Sequence, residues 1–424
     1  MPHLPNHSKL GLALNIWTMA IILALAFALA AFGIPSAQAQ TFTVLHNFLG
    51  PDGSLPTATL TLDRAGNLYG TTQTGGSNGN GTVFKMTHGE SGWTFKSIYS
   101  FSYNSSGAYP AAPVVFGPDG ALYGDAQFGG VGFIGVVFRL QPPATFCPTV
   151  SCPWTETILA AFYGRPDPAV PSGPLTFDAA GNIYGTSEEG GDYYACLAGG
   201  LGCGTVYELT KSNDWAVNTL YAFTDGADGL YPNSGVILDQ VGNLYGTVPQ
   251  SNSRGNGGDV FELTPSGSGW TFNMLFQFPC GDDGCQPYAG LFFDQAGNLY
   301  GATAHGGSGD GGTVFQLSPS GGNWNFNLLF SLTGQEGPVS ALIMDGAGNL
   351  YGTTKADGSH EFGNVFKLTP SSGGYTYTSL HDFTGGNDGA TPIGGLAMDA
   401  NGNLYGTTDA GGSVGDGVVF EITP

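Results

Sequence analysis

Apolar and polar residues alternate along short stretches of this chain, and most of these stretches end at an aspartate. Examples are Leu60-x-Leu62-Asp63, Leu175-x-Phe177-Asp178 and Leu396-x-Met398-Asp399. Alternation with a period of two predicts β-strands with one buried face. The Asp-x-x-Gly-Asn that follows predicts a tight turn, because Asp bonds nearby main-chain amides and Gly accepts a positive φ. No window after residue 40 has a convincing 3.6-residue period, so we predict essentially no helix.

Three further strands are predicted after each turn. They are exemplified by Leu-Tyr-Gly-Thr-Thr at 68–72, by Val83-Phe84-Lys85-Met86 and by the stretch from Trp93 to Phe101. The turn and its tyrosine recur seven times, at spacings of 54, 61, 61, 55, 51 and 54 residues: Tyr69, Tyr123, Tyr184, Tyr245, Tyr300, Tyr351 and Tyr405. Seven repeats of four strands predict an all-β fold, a seven-bladed β-propeller of four-stranded blades.

The two ends of the repeat region predict how the ring closes. The seventh repeat ends at residues 419–424 without a fourth strand, whereas residues 41–48 align without gaps to the fourth strand of the sixth repeat, residues 376–383. We therefore expect the N-terminal strand to close the last blade, which would consist of residues 390–424 plus 40–48. An open solenoid would need terminal caps, and the sequence shows none.

The repeated phrases resemble those of a known family. Gly-Asn-Leu-Tyr-Gly-Thr-Thr, Gly-Thr-Val-Phe-x-Leu-Thr-Pro and Trp-Thr-x-x-x-Leu-Tyr-x-Phe are similar to the repeats of GloVer-type tandem-repeat proteins, over nearly all of residues 41–424. The resemblance implies an exported bacterial protein with β-propeller-like repeats, and it implies no catalytic residue or ligand. Such proteins carry varied surface-sorting anchors at their C-termini. This chain ends within the last blade without a sorting motif, so we expect release rather than anchoring.

Residues 1–39 are predicted to form a signal peptide. Lys9 is the only charged residue there, a mostly apolar stretch runs from Leu12 to Phe32, and Ala37-Gln38-Ala39 supplies small residues at the cleavage site. The alternative is an uncleaved membrane anchor, because the stretch approaches the ~20 residues that span a bilayer. We expect cleavage, a single propeller domain over 40–424, a secreted, extracellular or periplasmic location, and no membrane association afterwards.

Charge narrows the range of partners. Ten Lys plus Arg stand against 32 Asp plus Glu, which gives a formal net charge of −22. This balance argues against nucleic acid, whose phosphates need clustered Lys and Arg, and against anionic lipid. It suits neutral glycans, cationic partners or divalent metal, and it keeps an exported protein soluble.

Six cysteines lie in three close pairs: Cys147/Cys152, Cys196/Cys203 and Cys280/Cys285. An even count in an exported chain predicts three local disulfides. A zinc site would need four ligands converging from CxxC-like spacings, and the sequence has none of these.

The candidate ligand-binding residues lie in the loops between the second and third strands, which vary most from blade to blade. In the third repeat, carboxylates stand beside aromatic residues, next to a cysteine pair: Glu188, Glu189, Asp192, Tyr193 and Tyr194. This combination suits sugar recognition or a glycosidase-type carboxylate pair, although a solvated acidic loop braced by a disulfide has the same composition. The corresponding loops of the fifth and sixth repeats contribute His305, Asp310, His360 and Glu361, which suit metal binding or acid–base chemistry if they meet across the channel, and are otherwise ordinary polar loop residues.

No cofactor is predicted, apart from weak calcium binding at the acidic blade-to-blade turns such as Asp282-Asp283-Gly284. These turns lack the dense D-x-D-x-D-G array of a strong calcium loop. Two Gly-x-Ser-x-Gly matches, around Ser77 and Ser413, lie in glycine-rich loops without the strand-turn-helix setting of a nucleophile elbow. We therefore predict no catalytic residue and no metal site from motifs.

Three functions remain open from the sequence. The first is a non-catalytic secreted propeller, expected to be monomeric, that binds polysaccharide or a surface protein through its variable loop face. The second is an extracellular glycan-active hydrolase or lyase with carboxylates and histidines at the channel mouth. The third is a structural cell-envelope protein. A binder should expose Tyr or Phe flanked by amides and carboxylates, whereas an enzyme should gather residues such as Glu188, Asp192 and His305 or His360.

Overall fold

The strands of this chain form seven antiparallel sheets of four strands each, arranged in a ring. The computed structural model describes residues 40–143, 153–192, 196, 201–251, 257–267 and 269–424. The first strand, β1 (Thr41–Asn47), stands apart in sequence from the blade that it joins. Within the described residues the helical content is a single 3-10 turn, Lys211–Asn213, so the prediction of an all-β fold is confirmed.

Each of the first four blades uses four consecutive strands. Blade 1 contains β2 (Thr61–Leu62), β3 (Leu68–Thr72), β4 (Thr82–Gly89) and β5 (Gly92–Ser100). Blade 2 contains β6 (Val115–Phe116), β7 (Leu122–Ala126), β8 (Val136–Gln141) and β9 (Thr155–Ala161). Blade 3 contains β10 (Pro168–Phe177), β11 (Ile183–Gly190), β12 (Thr205–Thr210) and β13 (Ala216–Ala222). Blade 4 contains β14 (Val236–Leu238), β15 (Leu244–Val248), β16 (Asp259–Ser266) and β17 (Gly269–Gln277).

The remaining blades follow the same order, with one change at the end of the chain. Blade 5 contains β18 (Phe292–Phe293), β19 (Leu299–Thr303), β20 (Thr313–Ser320) and β21 (Asn323–Ser331). Blade 6 contains β22 (Ile343–Met344), β23 (Leu350–Thr354), β24 (Asn364–Ser371) and β25 (Gly374–Asp382). Blade 7 contains β26 (Ala397–Met398), β27 (Leu404–Thr408) and β28 (Val418–Thr423), and β1 pairs beside β28 as its outer strand. The prediction that the N-terminal strand closes the last blade is therefore confirmed.

The hydrophobic core lies between the blades. Seven buried clusters each combine side chains of two adjacent blades, and one of them joins blade 7 to blade 1 through Phe48, Phe84 and Tyr405. The ring of the third-strand aromatic residue lies against the glycine of Leu-Tyr-Gly, where a Cβ atom would collide with it, as between Phe84 and Gly70. A single blade leaves its faces exposed, so stability requires the whole ring.

The Asp–Asn–Tyr pattern that recurs within the repeats forms a hydrogen-bonded turn. In blade 1, Asp63 Oδ1 accepts the main-chain amide of Asn67 at 2.9 Å, and its Oδ2 accepts the Asn67 side chain at 2.7 Å and the Tyr69 hydroxyl at 3.2 Å. The same three bonds recur in blades 3 to 7. Each of these tyrosines therefore stabilises the turn through its hydroxyl, while its ring packs in the core.

Burial raises the pKa of several carboxyl groups in this fold, among them Asp259, Glu156 and Asp409. Burial raises the pKa of Asp259 and of Glu156 to about 7 and that of Asp409 to about 6. Desolvation penalises the charged form, so these groups hold their protons to higher pH in the folded chain than in the unfolded chain.

Closure of the ring by β1 can be tested at Phe42. Its ring stacks on His381 at a centroid distance of 3.6 Å and lies 5.6 Å from Phe420, across the seam between blades 6 and 7. We expect Phe42→Ala to lower the free energy of unfolding by roughly 2–4 kcal/mol, as for a large-to-small change at a packed aromatic residue. Urea denaturation measures it, with the exposed neighbour Thr43→Ala as the control. Equal stability of the two variants would contradict closure by β1.

The raised pKa values predict that stability falls as pH rises. The unfolded chain releases the Asp259 proton near pH 4, and the folded chain releases it near pH 7, so its stabilising contribution is present below the first value and is lost as pH rises through the second. For this fully buried group the loss is up to about 4 kcal/mol. Melting temperatures at pH 5.5 and 8.0 in the wild type and in Asp259→Asn measure it.

Comparing the wild type with Asp259→Asn isolates the contribution of Asp259 to the pH dependence of stability. Burial lowers the pKa of His46 and of His381. Their titration therefore lowers the stability of the folded chain as pH falls, which is opposite in sign to the effect of Asp259. Their effect is common to both proteins and cancels in the difference. We expect the drop in melting temperature between pH 5.5 and 8.0 to be smaller in Asp259→Asn by several degrees, and an identical drop would refute the assignment.

Candidate functional site

Two sets of loops lie together on one face of the ring. The blade-to-blade loop pairs with the loop between the second and third strands of the same blade, as in Ser54 with Thr74 and Leu230 with Gln250. This pairing follows from the antiparallel order of the strands, which brings alternate connections to one face. We call this face the loop face.

One residue per blade lines the central channel just inside the loop face. The seven occupy equivalent positions after a proline: Thr57, Ala111, Ser172, Asn233, Tyr288, Val339 and Ile393. At the mouth, a cavity of about 550 Å³ adds Gln73, Gln286, His305, Glu336 and Lys355. The Lys355 ammonium lies 3.0 Å from the Glu336 carboxylate, so the mouth combines amides, one ion pair and a half-buried tyrosine. Amides and a tyrosine can bind hydroxyl groups without demanding charge.

The third-blade candidates are divided between two cavities. Glu188 faces the channel, in a deeper cavity of about 370 Å³ that it shares with Gln127 and Ser172. Burial raises the pKa of Glu188, and the charge of Glu189 raises it further. Asp192 lines a separate cavity beside Arg165. Tyr193 and Tyr194 lie outside the described residues.

Glu189 has a local structural role. Its Oε2 accepts the main-chain amide of Leu201 at 3.3 Å, which ties together the two ends of the third-blade loop. The main-chain oxygen of Glu189 also accepts the Ser187 hydroxyl at 2.8 Å. The structure places Glu188 and Glu189 at the end of β11 and not in the loop predicted for them, and the Glu189 side chain braces the loop that follows this strand.

The candidates of blades 5 and 6 do not come together as a group. His305 lines the channel mouth, whereas His360 and Glu361 are exposed loop residues that line none of the cavities found among the described residues. Asp310 is exposed as well, and its Oδ1 accepts the Gly306 amide at 3.0 Å within its own loop. Within the described part of the chain, no group of three or more His, Cys, Asp or Glu side chains is placed to hold a metal ion.

The cysteine pairs have different outcomes. Cys196 and Cys203 form a disulfide with Cα atoms 5.3 Å apart, as predicted. Cys147 and Cys152 lie outside the described residues. Cys280 and Cys285 are free thiols, so the prediction of a disulfide there is wrong for this structure. The main chain of Cys285 is fixed by two hydrogen bonds to His305, and its thiol contacts that of Cys280 through a hydrogen bond without a covalent link.

Blade 2 carries an exposed aromatic surface that is not predicted from the sequence. We call it the aromatic patch: Phe128, Val131, Phe133 and Tyr163, which are 36%, 68%, 55% and 65% exposed. The ring of Phe133 lies 6.5 Å from that of Tyr103, and the ring of Phe128 lies 5.9 Å from that of Tyr109. The signal was present in the sequence, because residues 128–134 are mainly apolar and glycine where the matching loop of blade 1 is polar and glycine-rich. Gln127 connects the patch to the channel.

A pair of buried polar side chains between blades 2 and 3 is also not predicted from the sequence. Asp125 of β7 and Tyr207 of β12 are 1% and 0% exposed, and their side-chain oxygens have no hydrogen-bond partner among the described residues. Burial raises the pKa of Asp125 well above its usual range, and the charge of Glu188 adds to this. Burial likewise raises the pKa of Tyr207, with a contribution from the charge of Asp125. Asp125 was missed because it replaces a threonine within an otherwise ordinary strand phrase.

Comparison with known proteins agrees with the fold. Among solved structures, PorZ of Porphyromonas gingivalis, described as an essential bacterial surface component of the type-IX secretion system, is 15% identical with a TM-score of 0.51; the match covers 88% of this chain and 48% of PorZ. A gluconolactonase from Xanthomonas campestris is 13% identical with a TM-score of 0.43, over 81% of this chain and 89% of that one. At such identities the PorZ likeness is one of fold alone, and the gluconolactonase comparison supports no functional argument.

Sequence comparison identifies the family. No curated protein matches the chain. The model of the Gloeobacter/Verrucomicrobia repeat matches three overlapping segments, residues 31–197, 150–337 and 242–424, which together span all seven blades. The resemblance of the repeats is thereby confirmed: the chain belongs to the Gloeobacter/Verrucomicrobia repeat family.

Proposed function

We propose that this protein is an exported, non-catalytic binding propeller whose loop face takes a neutral polysaccharide. The observation that carries the proposal is the aromatic patch on the loop face, where Gln127, the residue before Phe128, lines the channel. Aromatic rings provide flat apolar surfaces for the CH faces of sugars, and the neighbouring amides and carboxylates bind sugar hydroxyls. This is the combination expected of a binder, located on the face where the loops differ between blades.

The charge of the chain favours a neutral polymer. A formal net charge of −22 repels polyanions such as acidic glycans and nucleic acids at ordinary ionic strength. At the mouth, Lys355 is already paired with Glu336, which leaves that ammonium engaged rather than open to an anionic sugar. A neutral polysaccharide would contact the rings of the aromatic patch and the amides of the channel mouth.

The positions of the acidic and basic candidates favour binding over catalysis. A glycosidase-type pair needs two carboxyl groups about 5–10 Å apart around the scissile bond. Asp192 lines a cavity separate from that of Glu188, and His360 lies on an exposed loop away from His305. Export rests on the pattern of residues 1–39. Among the residues that the structure does describe, no helix is long and apolar enough to cross a membrane.

The test is retention on a panel of neutral and acidic polysaccharides from plants and bacteria, read together with chromatography of any products. We expect retention on a neutral polymer without new oligosaccharides. Phe133→Ala and Tyr163→Ala should each weaken binding ~3- to 10-fold, the value of one stacked ring. Val241→Ala is the matched control, because Val241 is an 80% exposed apolar residue in the Asp-x-x-Gly turn on the opposite face.

Each other outcome changes the assignment. Equal losses in Val241→Ala and the patch variants would remove the patch from the binding site. New oligosaccharide products would make the protein a glycan-active hydrolase or lyase. Failure to bind any polysaccharide would refute the proposal in favour of a surface protein as the partner or a structural envelope role.

A further inference from the structure

The seven blades can be compared position by position. Blade 2 differs from the others at a buried position, where a polar group without a hydrogen-bond partner lowers stability. Asp125 lies in β7, where the other blades have threonine or alanine: Thr71, Thr186, Thr247, Ala302, Thr353 and Thr407. In blades 1, 4, 6 and 7 this threonine hydroxyl donates to a main-chain carbonyl just before the inner strand of the next blade, at 3.0–3.1 Å. The side-chain oxygens of Asp125 have no hydrogen-bond partner among the described residues, so Asp125 does not make the inter-blade bond that these threonines make.

A second departure faces the first across the gap between blades 2 and 3. Tyr207 lies in β12 at a position that is phenylalanine in the six other blades: Phe84, Phe138, Phe261, Phe315, Phe366 and Phe420. Its added hydroxyl lies within electrostatic range of Asp125 and, like the carboxylate oxygens, has no hydrogen-bond partner among the described residues. Two buried polar groups without hydrogen-bond partners at one interface cost free energy, and the six counterparts at each position show that the scaffold does not require them.

Two further oxygen-bearing side chains connect this interface with the channel. The Ser172 hydroxyl is buried and also lacks a partner among the described residues. Glu188 interacts electrostatically with Asp125, and both Ser172 and Glu188 line the deeper channel cavity. Glu188 therefore lies on the channel and within electrostatic range of the buried Asp125. We call Asp125, Ser172, Glu188 and Tyr207 the Asp125 cluster.

We propose that the Asp125 cluster is a calcium site in the channel wall between blades 2 and 3. All of its side-chain donors are oxygens, which suits a hard cation rather than zinc or copper. Calcium accepts six to eight oxygens in irregular arrangements, whereas magnesium demands a near-ideal octahedron and retains its water. The cation would neutralise two like-charged carboxylates and give the unmatched oxygens a common partner.

The expected affinity is modest. Two carboxylates and two hydroxyls place the cluster at the weak end of calcium sites, with a Kd of roughly 0.1–1 mM, the range of extracellular modules. This site is distinct from the acidic blade-to-blade turns for which the sequence predicts weak calcium binding. The inference stands independently of polysaccharide binding, because it concerns the wall of the channel and not the aromatic patch.

The test is calcium titration of the calcium-free full chain at constant ionic strength, followed by the melting temperature and by calorimetry. We expect the wild-type melting temperature to rise by roughly 2–5 °C as calcium reaches about 10 mM. Asp125→Thr and Tyr207→Phe install the residues of the other blades. Asp125→Thr should abolish the calcium-dependent rise while melting at or above the wild-type temperature without calcium, and Tyr207→Phe should weaken calcium binding several-fold.

Asp259→Asn is the control, because it alters a buried carboxyl group in blade 4 and should keep the full calcium-dependent rise. If Asp125→Thr fails to fold, Asp125→Asn replaces it with nearly the same volume. The proposal is overturned if the wild type shows no rise up to about 10 mM calcium, if the rise survives in the Asp125 variants, or if magnesium produces an equal rise.

Discussion

Burial between neighbouring blades is the interaction on which the rest of this structure depends. Each of the seven clusters takes side chains from two blades, so no blade completes its own core. A linear stack would leave two such faces open to water. Pairing β1 with β28 and packing Phe48 between blades 7 and 1 closes the last of them. The rigid ring that results frees the loops of one face to vary.

Comparison of equivalent positions in the seven repeats also shows which residues the scaffold requires. The Asp–Asn–Tyr turn, the glycine before the buried ring and the inter-blade threonine recur because each solves the same packing or hydrogen-bonding problem in most blades. Blade 2 departs from the Asn of the turn and from the threonine, at Ala121 and Asp125, and blade 3 departs at the buried ring, where Tyr207 replaces phenylalanine. They hold the apolar loop with its exposed rings, the Asp125 cluster and the Cys196–Cys203 disulfide, which concentrates the distinctive chemistry of the chain on one side of the ring.

Candidate residues were harder to predict than the fold, for a physical reason. The unusual sequence around Glu188 predicts a binding loop, whereas the structure places Glu188 at the end of β11 and directs it to the channel. Asp310 was selected on similar grounds, yet its carboxylate accepts a hydrogen bond within its own loop. Composition and spacing describe which groups a loop carries, but the direction of each side chain depends on the main chain of that loop. Cys280 and Cys285 show the same limit, since five residues of separation do not fix how two thiols meet.

The sequence by itself determined the blade count, the strand order within a blade and the closure by residues 41–48, because these follow from local alternation and turn chemistry repeated seven times. It also contained the aromatic patch as an apolar loop, although only against the background of the other repeats. The tertiary structure decided which polar groups meet. Asp125 and Tyr207 are 82 residues apart in the chain, and only packing of blade 2 against blade 3 brings them to one buried interface beside the channel, where desolvation changes their chemistry.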